Sequence, residues 1–353
     1  MIGVLTKSAD PRADSAEAFA KAVDAFDRNR PVAVLGHFDA DGMAAVAILV
    51  RALAADGRRA LPLLVGKTES PWDDSMRERL AALDPGGLIV TDLGTRPEPV
   101  LPGCATMVID HHVPTGTPEG ATTISGNGLD PEPTSALLAW WSSGSHPDLL
   151  WLAALGLIGD MADGQGFPEL ADAQARWGKT ALKDATSLVN APRRTAAADA
   201  SPALRLLLES DGPKAITKGD GDDARALLAA KAEVREAVEA ARRVAPQVVG
   251  GVAIIRLHSG CQIHPLIAQQ WRGRLKDKIV LAANTGYRPG WVHFAARTAT
   301  GRDLIAFLAR HRPDGADGRY GNGHAQATGG ALPIAVWNSF VADLGFPDQQ
   351  VPA

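Results

Sequence analysis

The chain has 353 residues, 46% of them apolar and 22% charged, with a formal net charge of −4. That length exceeds what one hydrophobic core usually fills, so two domains are expected, and the composition excludes a disordered or fibrous chain. No apolar run approaches the roughly 20 residues that cross a bilayer, and the opening MIGVLTKSADPRADSAEAF lacks an apolar core or small-residue cleavage site, which predicts a cytoplasmic protein with no membrane partner.

Short β-rich runs alternate with helical patterns in the first part, the signature of βαβ units and a doubly wound parallel sheet. Strands are predicted at Val32 to Leu35, Leu61 to Val65, Leu88 to Thr91 and Met107 to Ile109, with a helix from Gly42 to Ala55. Helical patterns follow at Ala136 to Trp141, Leu149 to Leu157, Ala171 to Leu188 and Pro202 to Leu208, the last with Ser201 as its cap and Pro202 in its first turn. Trp140, Trp141 and Trp151 fall on this helical pattern and are expected in the core. The stretch from Asp222 to Val244 opens with two aspartates, is rich in good helix formers and stops before Pro246, so it reads as a long connecting helix. Strand-like Val252 to Arg256, Ile279 to Ala283 and Trp291 to Ala295 then alternate with helices from Pro265 and Asp303. The expected organisation is a catalytic α/β domain over 1–190, a helical linker over 191–246 and a smaller α/β domain over 247–353.

Charge is divided along the same lines. From Pro246 onward 11 Lys/Arg stand against 6 Asp/Glu, a balance of +5, which leaves 25 against 34, or −9, before it. An acidic metal-binding part followed by a basic phosphate-gripping part has this character. With only Cys104 and Cys261 in the chain, a metal must rest on oxygen and imidazole rather than thiolate.

The candidate ligands gather at strand ends. GHFDADG places His37, Asp39 and Asp41 directly after one strand; LIVTD ends in Asp92, and MVIDHH in Asp110, His111 and His112. A lone strand-end aspartate is usually a turn former. Acids and imidazoles collected on one sheet edge, however, would repel or desolvate badly without a cation to neutralise them. LGLIGDMADG adds Asp160, behind Gly159, and Asp163, of which Asp160 is the better candidate. A carboxylate-dominated set with imidazoles and no thiolate suits manganese or magnesium better than zinc.

HFDADG, TDLG, IDHH and GLIGD, in this order, resemble the four motifs of the DHH phosphoesterases, and GRYGNGHAQATGG is similar to the glycine-rich histidine motif of the DHHA1 domain. The resemblance runs from about residue 31 to 334. It implies two manganese ions, with magnesium as the alternative: His37, Asp39 and Asp92 on one, and Asp41, Asp92, His111 and Asp160 on the other. Asp92 would bridge, Asp110 would orient the neighbouring imidazoles, and His112 would face the substrate phosphate. Arg297, Gly321, Asn322, Gly323 and His324 would hold the nucleotide, with Asn322 standing where the family usually has glycine. HFDADGMAA looks more like the RecJ-like single-strand exonucleases than the nanoRNases.

The expected activity is hydrolysis of single-stranded DNA or short oligonucleotides to mononucleotides by a water nucleophile, with catalytic Asp92, His111 and His112, in a cleft between two domains. The chain is too short for the additional binding domains of full-length RecJ nucleases. Alternatives are a phosphoesterase for cyclic dinucleotides or nucleoside bisphosphates and, in another class, a non-catalytic replication scaffold, which would be expected to have lost ligands. His264 and His293 are read as packed or capping residues, and the paired Arg193 and Arg194 either as tracking a nucleic-acid backbone or as a solvated face.

Overall fold

The computed structural model describes residues 2–4, 10–318 and 320–352; the side chains of residues 2–4, Asn322 and His324 lie outside the description. The chain divides into two compact units, one of 1–193 with 198–229 and one of 194–197 with 230–353.

The first unit is built on six parallel strands: β1 (Ile2–Val4), β2 (Val32–His37), β3 (Ala60–Val65), β4 (Gly87–Thr91), β5 (Thr106–Asp110) and β6 (Thr122–Ser125), in the order β1-β6-β5-β4-β2-β3. In β2, Val32 and Val34 join one core cluster while Ala33 and Leu35 join another. Covered on both faces, the strand reads as a continuous apolar run, as central parallel strands do. From β2 the chain goes to β3 on one side and returns to β4 on the other. The order therefore reverses between β2 and β4, the place in such sheets where carboxyl-end loops part to admit a ligand.

The helix after β2 runs Ala40–Ala55 and is almost wholly buried, packed among the helices Ser135–Ser142 and Leu150–Gly159. Trp151 and Trp140 are in this core, and Trp141 donates its indole N–H to Glu169. Two expectations are corrected. The helix expected over 171–188 is two helices, Pro168–Trp177 and Lys179–Val189, broken at Gly178, whose φ of +89° lies where helices cannot continue. Ser201 does not cap its helix: it is the first helical residue, and its N–H donates to the Asp199 carboxylate.

The second unit carries β7 (Gln247–Val249), β8 (Val252–Leu257), β9 (Ile279–Arg288), β10 (Trp291–Thr298), β11 (Asn322–His324) and β12 (Ala327–Pro333), in the order β11-β12-β10-β9-β8-β7. Among the described residues of this unit, only β8 and β9 pair in parallel. Ile254, Leu281 and Phe294 pack with Trp337 and Phe340 on one face, and Ile255, Val280 and Ala282 with Ile263 and Ile267 on the other.

Candidate metal centre

Sheet register brings the first candidate residues together. Gly36 pairs with Thr91 and Thr91 with Ile109, so the next residues, His37, Asp92 and Asp110, reach the carboxyl edge side by side on adjacent strands. Neighbouring strands are about 4.8 Å apart, close enough for their end groups to share one ion. Asp92 then turns with φ +60°, a left-handed conformation that aspartate tolerates better than most residues.

The side chains converge accordingly. His37 Nδ1 is 3.1 Å from Asp39 and 3.7 Å from Asp92 Oδ2; His111 Nε2 is 3.5 Å from Asp92 Oδ1 and 3.3 Å from Asp160. Asp92 thus presents one oxygen to each histidine. His37, Asp39 and Asp92 form one group of possible ligands, and Asp41, Asp92, His111 and Asp160 a second; within each, the donor atoms lie within 4.8 Å of one another. Asp92 is common to both. His112, more than half exposed, lies 3.9 Å from Asp92 and shares a third group with Asp92 and His111.

Buried backbone and hydroxyl donors hold the acids in place. The N-terminus of the helix Ser135–Ser142 meets Asp41: the amides of Ser135 and Ala136 donate to its two oxygens at 2.8 and 2.9 Å, while Ser135 Oγ donates to Asp92 at 3.0 Å. Asp110 accepts the amides of Leu93 and Gly94, each at 2.8 Å, and the amide of His112 at 2.7 Å; it also bonds His112 Nδ1 at 3.0 Å. Asp39 caps the helix Ala40–Ala55 through the Gly42 amide. Space is tight: a Cβ at Gly156 would sit 2.3 Å from Asp41 Oδ1, and one at Gly42 2.5 Å from the His37 carbonyl oxygen.

Electrostatics sets these groups against one another. Burial, then the charges of Asp41, Asp39 and Asp160, push Asp92 well above the usual carboxylate range. Burial with Asp41 and Asp39 raises Asp160 to about 7. Burial likewise raises Asp41. Burial would raise Asp39 too, but the charges of His37 and Arg193 hold it far below its ordinary value. The Asp110 hydrogen bond raises His112 to about 8. His111 Nε2 is buried and, among the described residues, makes no hydrogen bond, although it lies beside two carboxylates. Carboxylates that resist ionising together, around an imidazole nitrogen without a proton partner, are the environment a divalent cation relieves. With no thiolate among the donors, the set fits a hard or borderline cation.

Sequence reasoning missed three contributors. Arg193, read as either a nucleic-acid contact or part of a solvated face, is largely buried with Nη1 3.4 Å from Asp39. Ser135 and Gly156 come from helices in which nothing local marks them. Asp163, the weaker candidate, pairs with Lys183 at 3.0 Å.

In the second unit, Arg297 donates from Nη1 to the Ala296 and Thr328 carbonyls, and burial and the nearby Arg272 lower its pKa. The Gly321 amide, expected to be free for phosphate, donates instead to the Gly329 carbonyl at 3.0 Å, because β12 continues past β11. Gly321 and Gly323 have φ of +82° and +135°. The side chains of Asn322 and His324 lie outside the described residues. His264 is buried, and burial and the charges of His293, Arg194 and Arg297 press its imidazole down to about 3, which keeps it neutral.

The fold and centre define a class: an α/β protein with a divalent-cation site at the switch point of a parallel sheet. No family model matches the chain. It is 32% identical over 241 residues to the single-stranded-DNA-specific exonuclease RecJ of Thermus thermophilus, a match that covers 56% of this chain and 36% of the relative. The chain thus spans about a third of the length of that curated relative. The crystal structure of Thermus thermophilus RecJ with Mn2+ superposes with a TM-score of 0.70 at 24% identity, over 96% of this chain and 55% of the other. An exonuclease RecJ bound to manganese gives 0.66 at 24%, over 96% and 95%. A DHH domain described as belonging to a family of ribosomal proteins gives 0.65 at 16%, over 97% and 93%. The chain has the DHH/DHHA1 fold in its RecJ-like form.

Proposed function

We propose that the chain is a metal-dependent phosphoesterase that hydrolyses single-stranded DNA or short oligonucleotides to mononucleotides, with manganese as the working cation and magnesium as the alternative. The observation that carries this reading is Asp92, whose two oxygens face His37 and His111 and which belongs to both ligand groups. The similarity to a relative named as a single-stranded-DNA-specific exonuclease supports the substrate class. When bound, a pair of divalent cations supplies Lewis acidity on both sides of a phosphodiester and lowers the pKa of water.

The chain's own residues do the rest. His37, Asp39 and Asp92 hold one cation, and Asp41, Asp92, His111 and Asp160 the other. Ser135 and the amides at the start of its helix fix Asp92 and Asp41 in the orientation that binding needs, the role outer partners play in metal sites. His112 is more than half exposed and is anchored through Nδ1 by the buried Asp110. Raised to about 8, it is an imidazolium at neutral pH, able to hold a phosphate oxygen or pass a proton to the departing one. Residues 1–190 carry the chemistry and 191–246 connect. Residues 247–353 hold the nucleotide through Arg297, whose planar fork suits phosphate, and through Asn322, Gly323 and His324.

The test is incubation of end-labelled single-stranded DNA and a ten-nucleotide RNA with the protein and Mn2+, beside a cyclic dinucleotide and a nucleoside bisphosphate. Mononucleotide release that stops with a chelator is expected. Release with no divalent metal at all, or faster turnover of the small substrates, contradicts the reading.

A further inference from the structure

In the second unit the helix His264–Arg274 lies along β10 and advances in step with it. The rings of His264 and His293 are 6.2 Å apart, Ala268 packs in one cluster with Ala295, and Arg272 Nε donates to the Thr298 carbonyl at 2.8 Å. Four residues carry a helix forward by about 6 Å and two carry a strand forward by about 6.7 Å. After His264 with His293 and Ala268 with Ala295, the next pair in the row is therefore Arg272 with Arg297. Strand alternation puts Arg297 on the same face as His293 and Ala295, the face that the helix covers.

The two guanidiniums meet where β10 pairs with β12. Arg297 lies opposite Ala327 and donates from Nη1 to the Ala296 and Thr328 carbonyls at 2.8 and 3.1 Å, while Arg272 Nη2 lies 3.5 Å from Gln326 Oε1. Among the described residues, every hydrogen bond of either guanidinium ends on an uncharged oxygen, which leaves Nη1 of Arg272 and Nε and Nη2 of Arg297 without one. The acids of the flanking segments are engaged elsewhere: Asp277 pairs with Lys278 at 2.8 Å, and Asp303 caps the helix Leu304–Arg310 through two amides. Both arginines are partly exposed, so solutes reach them. Burial, and then the charge of Arg272, lower the pKa of Arg297, so the two like charges oppose each other. Guanidiniums fixed side by side by main-chain carbonyls, with no carboxylate between them, are relieved by an anion with several acceptor oxygens.

We propose that Arg272 is a second phosphate-binding arginine of this unit, adjoining Arg297, and that the pair holds the backbone phosphates of a single strand. The proposal rests on the reading of the chain as a phosphoesterase of single-stranded nucleic acid and adds a residue that favours a strand over a mononucleotide. One planar fork occupies one phosphate, and a second beside it continues the contact along a chain of charges.

The experiment is fluorescence anisotropy of a labelled ten-nucleotide oligothymidylate with the full chain, with Ca2+ in place of Mn2+ so that binding is read apart from turnover, at roughly 50 to 200 mM salt. Arg272→Gln should weaken binding about tenfold at the low-salt end and flatten the slope of log K against log salt by about 0.7, the share of one single-strand phosphate. Arg272→Lys, which keeps the charge, should keep the slope, as should Arg225→Gln, the same loss of charge in the first unit. Should Arg272→Gln fold poorly, phenylglyoxal labelling of wild type gives an independent reading by peptide mass spectrometry: the bound strand should protect Arg272. A slope unchanged in Arg272→Gln, a slope lost equally in Arg272→Lys, equal labelling of Arg272 with and without the strand, or displacement of the strand by oligoglutamate at equal charge overturns the proposal. A chain that binds with the expected slopes and releases no mononucleotide overturns the proposed activity alone, whereas normal release with an unchanged slope overturns only the role of Arg272.

Discussion

Replacement of Asp92 by asparagine separates two consequences of its position. Asparagine has the same shape, accepts the Ser135 hydrogen bond and tolerates φ +60°, so the fold is retained. Its amide cannot replace a carboxylate shared by two cations, and turnover should fall on the order of 10³-fold or more, about 4 kcal/mol. Stability should move the other way. Asp92 lies within 4.8 Å of the Asp41 and Asp160 donors; two unit charges at that distance repel by about 3.5 kcal/mol at an effective dielectric of roughly 20, the ceiling for each neighbour. A proton on Asp92 cancels this repulsion, so the gain is read at pH 8, where more of the acids are ionised. With a chelator present, the variant should melt about 5–10 °C above wild type, at 2–4 °C per kcal/mol. It should also gain far less on addition of Mn2+. Thermal scans with and without metal, beside a single-strand nuclease assay, read both effects. Turnover within tenfold of wild type, or an undiminished rise in melting temperature with Mn2+, would refute the reasoning.

Gly156→Ala should drive Asp41 from its place, since the new Cβ meets its oxygen at 2.3 Å; a loss of about 1–3 kcal/mol in stability is expected, with at least a tenfold drop in turnover, measured by urea unfolding and kinetics. Ser135→Ala removes the hydroxyl held by Asp92 and should weaken Mn2+ binding about 10- to 100-fold, read by metal titration. Metal-free protein should lose stability as pH rises from 5 to 8.5. Asp160, raised to about 7, holds its proton in the folded state through the window in which the unfolded chain has released it. His112, raised to about 8, contributes stability that is full below its unfolded value and lost as pH passes 8. Asp39 and Asp110, both lowered, act only in acid, where their contribution is lost as pH falls. Melting temperature against pH with a chelator checks the slope, and saturating Mn2+ should flatten it.

The candidate metal centre was legible because most of the residues that form it follow directly on apolar strands, where period and turn residues mark both the strand and its end. His37, Asp92 and His111 needed only the inference that parallel strands share an edge. Arg193, Ser135 and Gly156 were not legible, since each reaches the centre by tertiary packing, from segments whose local pattern says helix or loop and nothing more. The sheets were read incompletely for a similar reason. β6 is four residues of mixed polarity, and β12, with the sequence ATGGALP, carries two glycines and no alternation that marks a strand. The interruption at Gly178 was hidden by helical periodicity that continues on both sides of it. The Gly321 amide was assigned to phosphate from its motif, whereas strand pairing had already engaged it.

The most direct measurement is anomalous diffraction from crystals soaked in Mn2+, collected at the manganese edge. Two peaks about 3.5–4 Å apart are predicted, one beside His37 and Asp39, the other beside His111 and Asp160, with Asp92 between them. Manganese density elsewhere with none at Asp92, or a single ion that leaves His37 or His111 without a bond to metal, would contradict the account.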